Sequence, residues 1–180
     1  MGCGRGGFLT TLRRLLPLAE IWGIEPDVDP AQEARTAADR VIFGRFPEDL
    51  PEDAPPFDVV FFNDVLEHLV DPWSVLLSTR ALLSHGGVIV ASIPNIRYWK
   101  VLHGLLRRSE FKYTDAGVLD RTHLRFFSKS GIENLFHSTG YSIARIEALN
   151  LFSNRRARAL SHLPMLGPDI LAPQFAVVAG

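Results

Sequence analysis

The sequence predicts an α/β fold: an open, doubly wound sheet, parallel through most of its width, with an antiparallel strand pair at one edge. Three observations predict it. Short apolar, strand-like runs alternate with helical periodicities along most of the 180 residues, the pattern of a parallel sheet covered by helices. A glycine-rich loop, Gly2, Cys3, Gly4, Arg5, Gly6 and Gly7, stands directly before the first helical run, where such sheets receive nucleotide-type ligands. The last two strand-like runs have no helix evident between them, which leaves them to pair antiparallel.

Each element has a local reason. Phe8, Leu9, Leu12, Leu15 and Leu16 recur at helical spacing until Pro17 stops the run. Residues 20–25 (EIWGIE) form an apolar run bounded by Pro26 and ending on a carboxylate, which reads as a buried parallel strand. Asp29 and Pro30 look like the cap and first turn of a helix over 31–39, and 41–43 is a brief strand. The prolines and acids of 47–56 make a surface loop that feeds 57–62 (FDVVFF), the most strand-like segment and therefore expected to be central. Asp71 and Pro72 cap the next helix, whose apolar series Trp73, Val75, Leu76, Leu77, Leu82 and Leu83 is expected to end at Gly86 and Gly87. A strand follows at 88–93. Beyond Pro94 a helix is expected over 98–108, then a mixed aromatic, charged and glycine stretch, so that 95–127 reads as a lid or insertion. A helix over 130–139 is stopped by Gly140, and strands are expected at 141–149 and 174–179.

Composition narrows the function classes. A length of 180 residues suits a single domain spanning 1–180. With 47% hydrophobic and 22% charged residues, the chain has the balance of an ordinary soluble globular protein. A formal net charge of -1 without an extended basic stripe argues against a nucleic-acid partner. Arg155, Arg156 and Arg158 form the sharpest basic cluster and read as a solvated loop in preference to a membrane-surface contact. Cys3 is alone, so no intrachain disulfide forms, and no apolar run reaches the roughly 18 residues of a spanning helix. Glycines and Arg5 occupy the place of a signal-peptide core, making the cytoplasm the expected location. The oligomeric state is left open.

Gly2, Gly4 and Gly7 satisfy GxGxxG, in which glycines allow a tight turn and let backbone N–H groups approach a ligand at a helix N-terminus. Gly2, Gly4 and Gly6 satisfy GxGxG equally well, so the loop alone does not choose between a dinucleotide and an S-adenosyl ligand. Glu25, about 20 residues further on at a strand end, is placed to accept hydrogen bonds from ribose hydroxyls. Residues 63–69 (NDVLEHL) follow FDVVFF at the carboxyl end of the central strand, the edge where open α/β sheets bind ligands.

On these residues the chain resembles the class I methyltransferases that use S-adenosylmethionine, and among them the ubiquinone-biosynthesis methyltransferase-like group. GCGRGG, IWGIEP, FDVVFFNDVLEHLVDPW, GGVIVASIPN and LDRTHLRFF carry the resemblance, five landmarks in order from residue 2 onward. It implies a Rossmann-like sheet and a cofactor site in which Gly2, Cys3, Gly4 and Gly6 cradle the methionine and ribose portion. Glu25, with Pro26, is expected to hold the ribose, and Asn63 and Asp64 to line the methionyl side. An adenine contact that is often acidic in the family falls near Gly44 and is Arg45 here; Phe43 or Phe46 is expected to pack on the ring instead.

The reaction implied is methyl transfer to a small-molecule or sugar-type acceptor, at oxygen, with no metal required because the sulfonium is already an activated donor. An oxygen acceptor must lose a proton, and His123 is the expected base, with Asp120 orienting its ring and Arg125 meeting an anionic acceptor group. The competing reading is that His123 holds the lid by backbone hydrogen bonds and that Asp120 and Arg125 form an internal ion pair. His68 is expected to cap the turn after Asn63. Asn95 and Tyr98 are candidate substrate contacts, Asn95 alternatively satisfying the turn after Pro94. Two other functions compete: a nicotinamide oxidoreductase, which leaves NDVLEHL and LDRTHLRFF without a role, and a non-catalytic binding domain with a decayed site.

The resemblance also exposes a gap. The family's central strand, ahead of the glycine loop and between the strands at 20–25 and 57–62, has no counterpart in this sequence. Several ladder hydrogen bonds at about 1 kcal/mol each, plus two or three aliphatic side chains at about 1.5–3 kcal/mol apiece, are at stake there. The expectation is that the native chain begins further upstream.

Overall fold

The structure, a computed structural model, describes residues 1–151, 159, 161–162 and 166–180. Helix α1 (Gly7–Leu15) follows the glycine loop, then β1 (Trp22–Glu25), α2 (Val28–Ala34), β2 (Arg40–Phe43) and β3 (Phe57–Asn63). After a 3-10 turn at Leu66–His68 come α3 (Pro72–Arg80), β4 (Leu83–Pro94), α4 (Trp99–Arg108), α5 (Lys129–Ser138), β5 (Ile143–Leu149) and β6 (Gln174–Ala179).

The strands form two hydrogen-bonded groups, β1-β2 and β3-β4-β6-β5. Pairing is parallel in β1-β2 and β3-β4 and antiparallel where β6 meets β4 and β5. In the larger group only β6 opposes its neighbours, so the α/β architecture with an antiparallel edge is the one expected from the sequence.

The largest departures from the expected boundaries are at the α3–β4 junction and in α2. Helix α3 ends at Arg80, and Leu83, Gly86 and Gly87 belong to β4. Pairing with β3 decides this: Phe57 N–H donates to Leu82 O at 2.8 Å, and the register jumps from Phe57↔Leu83 to Val59↔Val88. A Cβ on Gly87 would stand 2.9 Å from Phe57 O, so glycine is what lets the strands close up at this irregularity. Helix α2 starts at Val28 and stops at Ala34; beyond it Asp39 is drawn away, its carboxylate accepting Ile21 N–H at 2.7 Å.

The main core lies between α3, α5 and the four-stranded group, with Phe62, Leu76, Ile89, Ile132, Phe136 and Val177 wholly buried. A second, smaller cluster of Leu9, Ile21 and Ala34 packs α1 and α2 on β1. Between the two strand groups is a gap of about 190 Å³, lined by Cys3, Leu9, Gly23, Val60 and Asn63 among others. It falls where the sequence reading places the central strand. At its end the backbone joins the two sides: Met1 N donates to Phe61 O at 2.8 Å and Cys3 N–H to Ile24 O at 3.2 Å. Edge-on ring contacts, Phe8 on Phe61 at 5.0 Å and Trp22 on Phe57 at 5.5 Å, pack across the rest.

Candidate active site

The carboxyl ends of β1 and β3 open onto a cleft of about 540 Å³ whose walls include Gly2, Glu25, Pro26, Arg45, Phe46 and Asp64, a size typical of small-molecule sites. The loop at its mouth depends on glycine. Gly2, Gly4 and Gly6 have φ of +59°, +50° and +83°, a region that side chains with a Cβ rarely enter. Gly6 also lies against α2, where an added Cβ would be 2.9 Å from Ala34 Cα.

Glu25, only 7% exposed, faces the loop from the end of β1. Its Oε2 accepts Gly4 N–H at 2.7 Å, and Oε1 accepts Asp27 N–H at 3.3 Å. A carboxylate has about four acceptor positions, so capacity is left for a diol. Across the cleft Asp64, at φ +52°, is pinned to β4 by its N–H to Ser92 O at 3.1 Å. Its Oδ1 accepts from Ser92 Oγ and Gln174 Nε2. Of the two aromatic rings expected near an adenine, Phe46 lines the cleft and is buried edge-on against Phe62 at 5.9 Å, whereas Phe43 is exposed. Gly2, Glu25, Pro26 and Asp64 therefore share one cavity wall, while Cys3 and Asn63 line the gap between the sheets.

Beside the cleft, the segment 118–125 folds onto the turn after β3. Leu124 and Arg125 both donate backbone N–H to Glu67 O, at 2.8 and 2.9 Å. This brings His123 to His68 with ring centroids 4.8 Å apart, and puts its Nε2 at 3.9 Å from Glu67 Oε1. The orientation expected from Asp120 is not formed. Asp120 accepts from Thr122 N–H at 2.8 Å and Thr122 Oγ at 2.6 Å, which hold its carboxyl below the usual range, and His123 Nδ1 faces Val118 O at 3.1 Å. Nor do Asp120 and Arg125 form an ion pair among the described residues; the Arg125 guanidinium donates to Val70 O. Burial lowers the His123 imidazole below its ordinary value, the Val118 carbonyl opposing the shift.

Asn95 is wholly buried. Its Nδ2 donates to Asp169 O at 2.9 Å and Ala172 O at 2.8 Å, and its Oδ1 accepts Arg97 N–H at 3.0 Å. These bonds hold the turn at Pro168–Leu171 and leave the side chain engaged in structure. Tyr98 is buried ahead of α4, and burial raises its phenol. Phe111 packs edge to face with both Tyr113 and Phe126, and Phe126 is 6.2 Å from His123, so this segment places aromatic surface beside the imidazole. Arg155, Arg156 and Arg158 lie outside the described residues. Among the described residues, no helix is long and apolar enough to cross a membrane.

The residue that sequence reading passed over is Glu67. It is 1% exposed, and neither carboxylate oxygen has a hydrogen-bond partner among the described residues. Burial pushes its carboxyl up to about 8, and the Asp64 carboxylate adds to the rise. The available signal was an acid three residues after Asp64, enclosed by Leu66 and Leu69.

A family of proteins described as methyltransferase domains matches residues 1–146. Two curated relatives are trans-aconitate 2-methyltransferases: that of Azoarcus sp. (strain BH72) is 30% identical over 111 residues, covering 61% of this chain and 43% of its own. That of Methylobacterium radiotolerans is 30% identical over 97 residues, covering 53% and 36%. The chain thus spans less than half the length of these relatives. Among solved structures, an S-adenosylmethionine-dependent methyltransferase from Archaeoglobus fulgidus superposes with a TM-score of 0.70 at 19% identity, covering 99% of this chain and 82% of that one. The plantazolicin methyltransferase BpumL, solved with S-adenosylhomocysteine and a triazolic desmethylPZN analogue, gives 0.67 at 18% identity, covering 99% and 73%. Both show the same fold around this sheet. With a glycine loop, a strand-end acid and a post-strand aspartate gathered on one cleft and a family match across residues 1–146, the chain belongs to the methyltransferase domain family.

Proposed function

We propose that the protein binds S-adenosylmethionine in the cleft between β1 and β3 and transfers its methyl group to an oxygen of a small-molecule or sugar-type acceptor. The observation that carries this reading is the position of Glu25: it is tied to the glycine loop at Gly4 and faces the cavity shared with Gly2 and Asp64. When bound, the cofactor supplies a methyl group already activated on a sulfonium. The chain's own contribution is to align and enclose. Gly2, Gly4 and Gly6 bring backbone close to the methionine and ribose portion, Glu25 and Pro26 hold the ribose, Phe46 packs on the adenine, and Asp64 marks the methionyl side. Residues 95–127 act as the lid and supply the acceptor pocket through the ring cluster of Phe111, Tyr113 and Phe126. His123, kept neutral by burial with Nδ1 bound to Val118 O, presents Nε2 as the acceptor of the substrate proton. The names of the two curated relatives support an acceptor of small-molecule size.

Titration calorimetry with S-adenosylhomocysteine tests the reading. One binding event that weakens in Glu25→Gln is expected; absence of heat at millimolar ligand overturns it. The gap between the strand groups favours one second reading, a binding domain without turnover. That reading predicts the same calorimetric signal but no labelled methyl transferred from S-adenosylmethionine to any acceptor in a small-molecule panel.

A further inference from the structure

Glu67, His68 and His123 converge from two segments, the turn after β3 and the lid. One ligand-capable atom from each lies within 4.8 Å of the others. The carboxylate is almost wholly buried and its oxygens have no hydrogen-bond donor among the described residues. A buried acid without a partner is costly unless something cationic compensates it.

Both imidazoles are oriented by their other nitrogen. His123 Nδ1 is 3.1 Å from Val118 O, and His68 Nδ1 is 3.2 Å from Thr122 O. A carbonyl only accepts, so each Nδ1 carries the hydrogen and each Nε2 keeps a lone pair. This is the arrangement that fixes tautomer and direction in histidines that ligate metals, where the second nitrogen donates to a backbone carbonyl. His123 Nε2 already stands 3.9 Å from Glu67 Oε1. Ligand atoms around a cation at about 2.0–2.2 Å are about 3–4 Å apart, so a small contraction of side chains completes the set.

We propose that Glu67, His68 and His123 form a site for a divalent first-row transition-metal cation at the edge of the cleft. Two imidazoles with one carboxylate match the preference of zinc, cobalt or iron(II) over calcium, which takes oxygen ligands. The ion would offset the buried Glu67 charge. Three protein ligands leave a coordination position free, and His68 and Asp64 both line the cofactor cleft, the direction from which a substrate oxygen would arrive. That last step rests on the methyl-transfer reading; the metal site does not. With the ion present, His123 Nε2 is a ligand and no longer a free base, and the expectation that the chemistry needs no metal is replaced.

The test uses Co²⁺ alone, added to chelator-treated, tag-free protein. One equivalent is expected to bind with visible d–d absorption of nitrogen and oxygen coordination. Glu67→Gln and His123→Gln are each expected to weaken binding at least about tenfold and to reduce the absorption, whereas His162→Gln leaves both unchanged. Circular dichroism melting of the metal-free variants separates loss of ligand from loss of fold, since Glu67→Gln keeps shape and replaces a buried carboxyl that has no hydrogen-bond partner among the described residues, and is expected to melt no lower than the parent. Co²⁺ that fails to bind, or binds equally to both variants, overturns the site and leaves the S-adenosylhomocysteine result standing. Retained Co²⁺ binding without S-adenosylhomocysteine binding would overturn the cofactor reading instead.

Discussion

At the scale of single residues, Glu25 divides its oxygens between the loop and the cleft. Replacing it by Gln keeps an acceptor for Gly4 N–H but removes the charge facing the cleft, where the proposed ribose would sit. Hydrogen bonds to charged groups contribute about 1.5–3 kcal/mol, so S-adenosylhomocysteine affinity in Glu25→Gln is expected to fall roughly ten- to a hundredfold by calorimetry. Gly6→Ala tests the loop from its other end: both its φ of +83° and the proximity of Ala34 oppose a side chain, and a lower melting temperature with loss of ligand binding is expected. The place of Glu25 at the cleft was legible in the sequence because distance from the glycine loop and a strand-end position set it. Glu67 was not, because its distinction is to be enclosed without a partner, and only the lid's return onto Glu67 O creates that enclosure. Asp120 shows the converse. Its proximity to His123 along the chain suggested a pair, but a two-residue turn gave its carboxylate to Thr122.

At the scale of elements, caps and turns set boundaries where the sequence signal is local. Ser128 Oγ accepts Gly131 N–H at 3.1 Å at the start of α5, and Ser128→Ala is expected to cost about 1 kcal/mol in chemical denaturation. Tyr141 follows the same helix and its hydroxyl donates to Leu76 O at 2.8 Å inside the core; burial pushes that phenol up to about 12. The start of β4 was misread because a glycine pair after a helical run looks like a stop signal. Strand pairing overrode it, and Gly87 serves the close approach to Phe57 O. Gly87→Val is accordingly expected to lower the melting temperature by more than a surface substitution, through displacement of backbone at the register shift.

At the scale of the whole molecule, two strand groups line one cleft. The cleft draws Glu25 from β1 and Asp64 from the end of β3, while the gap between these strands is bridged by few backbone bonds. A ligand that contacts both sides should stabilise the pair together. At a hundredfold excess over Kd, binding contributes about 2.7 kcal/mol, which at about 2–4 °C per kcal/mol for a domain of this size predicts a rise of roughly 5–10 °C with S-adenosylhomocysteine. No rise in differential scanning fluorimetry would show that the cleft does not join the two groups. By itself the sequence determined the alternation of strands and helices, the glycine loop, the strand-end position of Glu25 and the antiparallel edge, because periodicity, turn chemistry and short spacings are local properties. Only the tertiary structure decided that Asn95 is engaged in a buried turn, that Cys3 and Asn63 face the gap, and that Glu67 meets two histidines. Those outcomes depend on which distant segment arrives to share a hydrogen bond or to leave one unmade, and no spacing along the chain records that.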